Sequence, residues 1–275
     1  HADESIACIQ AKLSYFNSRQ NLLTRWFTLE YAAWFDLFLP GLHSMGAPIP
    51  LGGTSNHFRL SILKQVLSWD PYNVTEDADL GLRFTRAGYR TLMLESTTYE
   101  EANSRFKNWL RQRSRWIKGY MQTFLVHTRH PVQLYKEIGF VNYLHYTETE
   151  GGLIYTVVVS PLFWFMLVLW LLLQPGWIPA LFPGPVYYLA MASLIFGNFF
   201  FVFLALIGAV GRGQDDLAPY TIIVPVYWLM MSCAAYLALY ELIRKPHYWQ
   251  KTEHGLHTEP LEDEFAADDM LGKAA

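Results

Sequence analysis

The chain of 275 residues contains only two cysteines, Cys8 and Cys233, which lie far apart in the sequence. Two cysteines at this separation define neither a disulfide framework nor a cysteine-based metal site. Such low cysteine content is typical of a protein whose catalytic side faces a reducing compartment such as the cytosol.

Basic residues are scarce in the second part of the chain, since only five of the 21 Lys and Arg residues follow position 150. The first residues, HADESIACIQAKLSYFN, also lack the charged region and the following apolar region of a signal peptide. Because the sequence starts with His1 and not with methionine, we expect it to be the C-terminal part of a longer protein.

Long apolar runs are abundant instead, in a chain that is 52% hydrophobic. Residues 153–173 and 186–210 contain no charge, and each run is long enough to cross a bilayer. The loop between them, QPGWIPALFPGP, is uncharged, whereas a basic stretch precedes the first run and GRGQDD follows the second. The positive-inside rule therefore predicts cytosolic flanks and a loop on the outer side.

A third apolar run, residues 220–243, contains Glu241 and is followed by RKPHYWQK. It either crosses the membrane or lies in the interface as a shallow helix. We favour the interfacial helix because it keeps the basic residues after it in the cytosol. The tail beyond it has seven acidic residues between Glu253 and Asp269, a composition typical of disorder.

The pattern predicts an α/β part at residues 1–137, a membrane part at 138–243, and a loop with an acidic tail at 244–275. In the first part we expect strands at 4–13 and 89–94, a glycine-rich loop at 50–60, and helices at 21–39, 76–87 and 103–127. The helix at 21–39 fits an interfacial helix and an ordinary core helix equally well.

Three carboxylates, Glu76, Asp77 and Asp79, stand together in NVTEDADLG after the predicted N-cap Thr75. Acidic residues in a first helical turn are stabilised by the helix dipole, by about 0.3–1 kcal/mol each. This accounts for an acidic pair without any catalysis. The alternative is a catalytic base with its support, and the stretch alone does not decide between the two.

The predicted helix FKNWLRQRSRWIKGYMQ places Gln112, Arg115 and Trp116 on one face, at spacing i, i+3, i+4. An amide and a guanidinium bind phosphate oxygens, and an indole offers a flat surface for a sugar ring. A basic amphipathic helix on an anionic membrane is the simpler alternative. Nucleic acid is not expected as a partner, because the apolar runs follow directly.

The remaining basic residues of this helix point to other faces, and we expect them to contact lipid headgroups: Arg111, Arg113 and Lys118. The histidines show no metal-ligand spacing, and we expect structural roles for them.

The order GGTSNHF, TED, QRSRW, apolar spans and KPHYWQKTEHG resembles the family 2 processive membrane glycosyltransferases, which include cellulose synthase and hyaluronan synthase. It is most similar to their bacterial inner-membrane branch of glucan or poly-N-acetylglucosamine synthases. The resemblance covers about residues 10–255. It implies the C-terminal part of a GT-A-type α/β domain with interfacial helices, followed by two or three transmembrane helices.

The resemblance also implies residue roles. Asp77 would be the general base and Glu76 would hold its loop, while Gln112 and Arg115 would bind the diphosphate. The acceptor sugar would stack on Trp116 and contact the glycine-rich loop, at Gly53, Thr54 and Ser55. A loop that closes over the donor would contain Trp249 and Thr252.

The implied reaction transfers glucose or N-acetylglucosamine from a UDP-sugar to a β-linked polysaccharide, with inversion and export through the inner membrane. It would use Mg²⁺ or Mn²⁺ held by a D-x-D motif, and a periplasmic or outer-membrane export partner could receive the polymer. The sequence departs from this pattern, because no D-x-D precedes Gly53 and the only one is Asp77-Ala-Asp79. We therefore expect the metal ligands in a preceding part and no activity of this chain alone.

Two other functions stay open. One is a non-catalytic membrane scaffold or receptor derived from such a transferase. The other is a non-processive enzyme that adds one sugar to a lipid carrier.

Overall fold

The computed structural model describes residues 3–249, 251–253 and 255. Its sheet has three strands, β1 (Ile6–Tyr15), β2 (Asn56–Phe58) and β3 (Arg90–Glu100), in the order β2-β1-β3. The central strand β1 pairs antiparallel with β2 and parallel with β3. A parallel pair needs a long crossover, and here it contains the helices α3 (Leu60–Gln65) and α4 (Glu76–Arg86). The predicted strands are confirmed, and β3 is longer than predicted.

The first helical segment begins at a capping box. Asn21 accepts a hydrogen bond from the backbone N–H of Thr24, whose side chain in turn accepts one from the N–H of Asn21. Helix α1 (Leu22–Ala33) continues through a π-helical turn, Trp34–Phe38, into α2 (Leu39–Ser44). Its inner face is fully buried, which shows a core helix at these positions: Leu23, Trp26, Phe27, Leu29 and Ala32.

Helix α4 ends as the sequence predicts, at a glycine in the left-handed region. Gly88 has φ +83° and donates to the carbonyl of Thr85, while Tyr89 donates to the carbonyl of Phe84. These two bonds form a Schellman motif. The prediction for the other end is wrong in its mechanism: Thr75 occupies the N-cap position, but its side chain makes no capping hydrogen bond.

The Thr75 side chain packs instead against a glycine of the long helix α5 (Phe106–His127). A Cβ atom added to Gly119 would lie 1.9 Å from Oγ1 of Thr75 and 2.6 Å from its Cβ. The two helices can therefore approach this closely only because residue 119 has no side chain.

Gly119→Ala is expected to destabilise the protein by about 1–3 kcal/mol through overpacking. Gly41→Ala is the matched control, since a Cβ on that helical glycine meets nothing within 4 Å. Apparent melting temperatures in detergent would compare them. Helix propensity alone favours alanine by about 1 kcal/mol, so a rise in melting temperature for Gly119→Ala would contradict the close contact.

Three helical segments of the described part are long and apolar enough to cross a membrane: Pro131–Leu173, Gly184–Gly211 and Asp215–Arg244. The first consists of α6 (Pro131–Tyr146), which is kinked at Gly139 (φ +78°), a π-helical turn at Thr147–Gly152 and α7 (Leu153–Leu173). A short helix α8 (Trp177–Ala180) lies in the loop. The second consists of α9 (Gly184–Ala192), another π-helical turn and α10 (Asn198–Gly211), and the third ends in α11 (Val224–Arg244).

Helix α11 packs along α5 over most of its length. The indole N–H of Trp109 donates to the hydroxyl of Tyr227 (3.2 Å), and Lys118 donates to the carboxylate of Glu241 (3.1 Å). The third segment is thus long enough to cross a membrane, but one of its faces is buried on the helix that carries QRSRW.

Helix α10 is also fixed to the α/β part. A Cβ on Gly208 would lie 2.8 Å from the backbone of Ala32 in α1. Just after α10, Arg212 forms an ion pair with Asp36 and donates to the carbonyl of Leu13 in β1 (2.9 Å). The end of the second apolar segment is therefore tied directly to the central strand.

Candidate active site

The start of α4 is held against α5 by two hydrogen bonds. The backbone N–H of Val74 donates to the side-chain oxygen of Gln122 (3.2 Å), and the Asn73 amide donates to the hydroxyl of Thr123 (2.8 Å). These bonds fix the position of the acidic turn that follows.

Asp77 lies in that turn and is half-buried. One carboxylate oxygen accepts a hydrogen bond from the N–H of Ala78 (2.9 Å). The other lies so close to Gly53 that a Cβ atom added to this glycine would be 3.3 Å away. Burial raises the pKa of Asp77 to about 6; the Ala78 hydrogen bond opposes this, and the nearby charge of Glu76 adds to it. A carboxylate with this pKa is ionised at neutral pH and is suited to take a proton.

The glycine-rich loop contacts the Asp77 carboxylate through Gly53. Gly53 borders the carboxylate, whereas the Thr54 hydroxyl donates to Glu100. The Ser55 hydroxyl donates to the hydroxyl of Thr98 (2.5 Å), in strand β3. The structure therefore brings Gly53 to Asp77 and binds the hydroxyls of the next two residues to the sheet.

Arg115 of α5 faces the same acidic turn. Its guanidinium makes one long hydrogen bond, to the carbonyl of Val74 (3.4 Å), and its Nε atom is buried without a partner among the described residues. Burial lowers the pKa of Arg115, and the charges of Asp77 and Glu76 oppose that shift. The guanidinium thus retains hydrogen-bonding capacity for an anion.

Gln112 is buried one turn earlier, and its side-chain oxygen accepts a hydrogen bond from Asn103 (2.9 Å). Asn103 also accepts one from Asn108, which exchanges two hydrogen bonds with the backbone of Glu253. Gln112 therefore belongs to a polar network that reaches the C-terminal segment.

This C-terminal segment, residues 245–249 and 251–253, runs along α5, and we call it the strap. Its backbone carbonyls at Pro246 and Tyr248 accept hydrogen bonds from Gln122 (3.0 Å) and Lys118 (2.7 Å).

The indole of Trp249 lies 5.4 Å from the guanidinium of Arg115. Thr252 is buried, and its hydroxyl has no partner in the described part of the chain. The structure thus places Trp249 beside Arg115, and the donor-closing role that the resemblance implies for Trp249 and Thr252 stays a prediction.

The prediction that Trp116 shares one face with Arg115 is wrong, because Trp116 lies on a different side of α5, against α1. Its ring centroid is 6.1 Å from that of Phe27 and 6.4 Å from that of Tyr31, and the guanidinium of Arg113 stacks on it at 4.7 Å. The indole is half-buried, which leaves part of its surface accessible.

The prediction that Arg113 and Lys118 contact lipid headgroups is wrong. Arg113 is buried in an ion pair with Glu30 of α1 and also donates to Tyr227 (3.1 Å). Lys118 is 0% exposed and is paired with Glu241. Each buried cation has a partly buried acidic partner, which compensates for the loss of water.

A second polar network, centred on Asp79, was not predicted from the sequence. Asp79 accepts hydrogen bonds from Arg83 (2.7 Å) and from Nε2 of His127 (2.8 Å), and Arg86 donates to Nδ1 of His127 (2.8 Å). Burial alone would raise the pKa of Asp79, but the hydrogen bond from His127 and the charge and hydrogen bond of Arg83 lower it. Asp79 is therefore structural, and the structural role expected for His127 is confirmed.

The described residues contain no group of three or more His, Cys, Asp and Glu residues that could hold a metal ion. In the Asp77-Ala-Asp79 motif, the second carboxylate is already occupied by Arg83 and His127. These residues therefore do not fit a divalent metal site.

Fold and site together define a mixed α/β domain in which a half-buried carboxylate faces an arginine with free hydrogen-bonding capacity. Apolar helices long enough to span a membrane follow this domain. The chain belongs to the Glycosyl transferase family group 2, whose family model matches residues 1–240.

Two curated proteins illustrate this similarity. The chain is 28% identical over 118 residues to the "Probable glycosyltransferase YdaM" of Bacillus subtilis (strain 168), covering 42% of this chain and 28% of that protein. It is 28% identical over 139 residues to "Glucomannan 4-beta-mannosyltransferase 9" of Arabidopsis thaliana, covering 48% of this chain and 26% of that protein. The chain thus aligns with only about a quarter of each relative.

Proposed function

We propose that this chain supplies the acceptor-activating part of an inverting glycosyltransferase, which extends a β-linked polysaccharide from a nucleotide-sugar and exports it across the inner membrane. The family supports glycosyl transfer in general. The observation that carries the proposal is the placement of Asp77, with its pKa of about 6, between Gly53 and Arg115.

In the proposed reaction, an acceptor hydroxyl gives its proton to the Asp77 carboxylate. The resulting oxygen attacks the anomeric carbon of the donor, and the bond from that carbon to the diphosphate oxygen breaks. Negative charge develops on the departing nucleoside diphosphate, and Arg115 stabilises it through its unpartnered Nε–H. We propose that Trp249, whose indole lies beside Arg115, and Thr252 close the donor site.

The resemblance assigns Mg²⁺ or Mn²⁺ to a D-x-D motif, and we propose that another part of the protein supplies those ligands. We also assign a sugar-stacking role to Trp116 and acceptor contacts to the loop at Gly53, Thr54 and Ser55. Gln112 is proposed to support the diphosphate site through its network with the strap.

We propose a cytosolic catalytic side in a bacterial inner membrane, with α7 and α10 crossing the bilayer. The packing of α11 along α5 favours an interfacial position for α11. This arrangement keeps the strap and the QRSRW helix on one side of the membrane.

Sugar incorporation by the full-length protein tests the proposal. Membranes containing it would receive radiolabelled UDP-glucose, UDP-N-acetylglucosamine or a nucleotide-mannose donor, with Mg²⁺ or Mn²⁺. The mannose donor is included because one relative is named a mannosyltransferase. We expect a polymer from one donor. One sugar on a lipid carrier would support the non-processive alternative, and no incorporation would support a scaffold.

Arg115→Ala is expected to weaken binding of the nucleoside diphosphate about 10- to 100-fold, because a charge-assisted hydrogen bond contributes roughly 1.5–3 kcal/mol. Arg111→Ala, one turn earlier on α5 and partly exposed, is the matched control. Calorimetric titration of the full-length proteins with UDP would compare the two. Unchanged binding by the Arg115 variant would rule out the assigned role.

A further inference from the structure

A cluster of basic side chains lies at the start of α6, outside the site described above. Arg129, His130 and Lys136 border a surface hollow of about 470 Å³. All three residues are exposed, and within the described part of the chain none of their side chains makes a hydrogen bond or an ion pair. Their donors are therefore available to an anion from outside the chain.

The stretch that carries this cluster has almost no negative charge. Glu137 is the only acidic residue between positions 102 and 147. Its carboxylate accepts hydrogen bonds from Arg86 of α4 (2.6 Å) and from Gln133 (2.7 Å). The one acid of this stretch is thus already paired, and the end of α5 and the start of α6 present a positive surface.

Exposed apolar side chains continue from the cluster along α6. The inner face of this helix is fixed to α4, because Leu134 and Ile138 are buried in one cluster with Leu82. The rest of its surface carries large apolar side chains that are 43–66% exposed: Val132, Tyr135, Phe140, Val141 and Leu144. Apolar and basic side chains combined in this way are typical of a helix that lies in the headgroup region of a membrane.

The length of the first apolar segment also places α6 at the membrane surface. Helix α7 has 21 residues, which is about 30 Å of helix and enough to cross the hydrocarbon core alone. The whole segment Pro131–Leu173 has 43 residues, so α6 lies outside the core when α7 spans it. The non-helical conformation of Gly139 (φ +78°, ψ +168°) frees the first half of α6 from the direction of α7.

We infer that Arg129, His130 and Lys136 bind the phosphate of an anionic phospholipid, whose acyl chains contact the exposed apolar side chains of α6. Guanidinium and ammonium groups bind phosphate oxygens, and basic residues beside a membrane span attract anionic lipids. A lipid fits better than a free phosphate, because the apolar side chains adjoin the cations. The inference rests on the proposed bilayer position of α7 and does not involve sugar transfer.

Lipid binding by the full-length protein tests the inference. The protein in a neutral detergent would be titrated with short-chain phosphatidylglycerol, short-chain phosphatidylcholine or inorganic phosphate, and native mass spectrometry would count the bound molecules. Phosphatidylglycerol is expected to bind most tightly. Arg129→Gln with Lys136→Gln should weaken its binding about 10- to 30-fold, because each basic residue near an anionic lipid contributes a factor of about five.

Lys64→Gln with Lys107→Gln is the matched control, because it removes the same net charge at two exposed positions elsewhere. It should bind phosphatidylglycerol like the wild type, and an equal loss in both double variants would overturn the site. Equal affinity of the wild type for phosphatidylglycerol and phosphatidylcholine would also overturn it. Phosphate binding as tight as that of phosphatidylglycerol would contradict the assignment of a lipid.

Val132→Gln with Phe140→Gln tests the apolar half of the site. Both side chains are exposed, so the substitutions should leave the melting temperature unchanged while weakening phosphatidylglycerol binding. Unchanged binding would contradict the contact with the acyl chains. Sugar incorporation is measured separately. Lipid binding that depends on Arg129 and Lys136 without any incorporation would support this site and contradict the proposed transfer.

Discussion

Asp77→Asn is expected to abolish sugar transfer by the full-length protein, with a loss of about 10²- to 10⁴-fold, the usual contribution of a positioned general base. Asparagine has nearly the same shape, but its amide cannot take a proton from the acceptor hydroxyl. Donor binding should stay close to that of the wild type, because Arg115 and the strap are unchanged. Radiolabel incorporation and UDP titration would measure the two properties separately.

The stability of this variant gives an independent check. Burial raises the pKa of Asp77, so its charge is unfavourable in the folded protein at neutral pH. Removing the charge should leave the melting temperature unchanged or raise it. Asp79→Asn is the matched control and should lower the melting temperature, because Asp79 is buried between Arg83 and His127. If the Asp77→Asn protein lost donor binding together with sugar transfer, this would contradict the assignment of Asp77 as the general base.

Lys118→Met is expected to destabilise the protein by about 3–5 kcal/mol, the usual cost of breaking a buried ion pair. Lys118 is completely buried, and its ammonium group binds Glu241 of α11 and the carbonyl of Tyr248 in the strap. The substitution leaves the Glu241 carboxylate without its cation. Thermal unfolding in detergent should show a decrease of roughly 10 °C.

The double variant Lys118→Met with Glu241→Leu separates the contribution of Lys118 to stability from its role in holding the strap along α5. Replacing both charges by apolar side chains should restore most of the melting temperature. Sugar transfer should be low in both the single and the double variant. In both, the Tyr248 carbonyl lacks its donor and the strap is no longer held along α5. Recovery of both properties would show that Lys118 has no role in positioning the strap.

Local sequence signals predicted the elements whose ends and periods are encoded nearby. Residues 153–173 were predicted as an apolar run, and α7 has the same bounds. The helix predicted at 76–87 agrees with α4, whose end is encoded locally, since Gly88 adopts the left-handed conformation that the Schellman motif requires. By contrast, the i, i+3, i+4 spacing predicted one shared face for Gln112, Arg115 and Trp116, which is wrong for Trp116 because its ring packs against α1.

Interactions between distant segments could not be predicted in this way. Arg113 and Lys118 look like solvated cations in a basic helix, but their acidic partners are 83 and 123 residues away in the sequence. No local pattern connects Gly119 to Thr75 either, because an isolated glycine in a helix has many possible reasons. The site depends on these long-range contacts, which fix α4, α11 and the strap on α5.

The pH dependence of transfer by the full-length protein tests the central claim, the role of Asp77 as general base, most directly. Initial rates would be measured at limiting acceptor from about pH 5 to about pH 8, where kcat/KM reports the ionisation of the free enzyme. The rate should rise with pH and level off, with a midpoint near the Asp77 pKa of about 6. A rate that does not change over this range would contradict the assignment of Asp77 as the base.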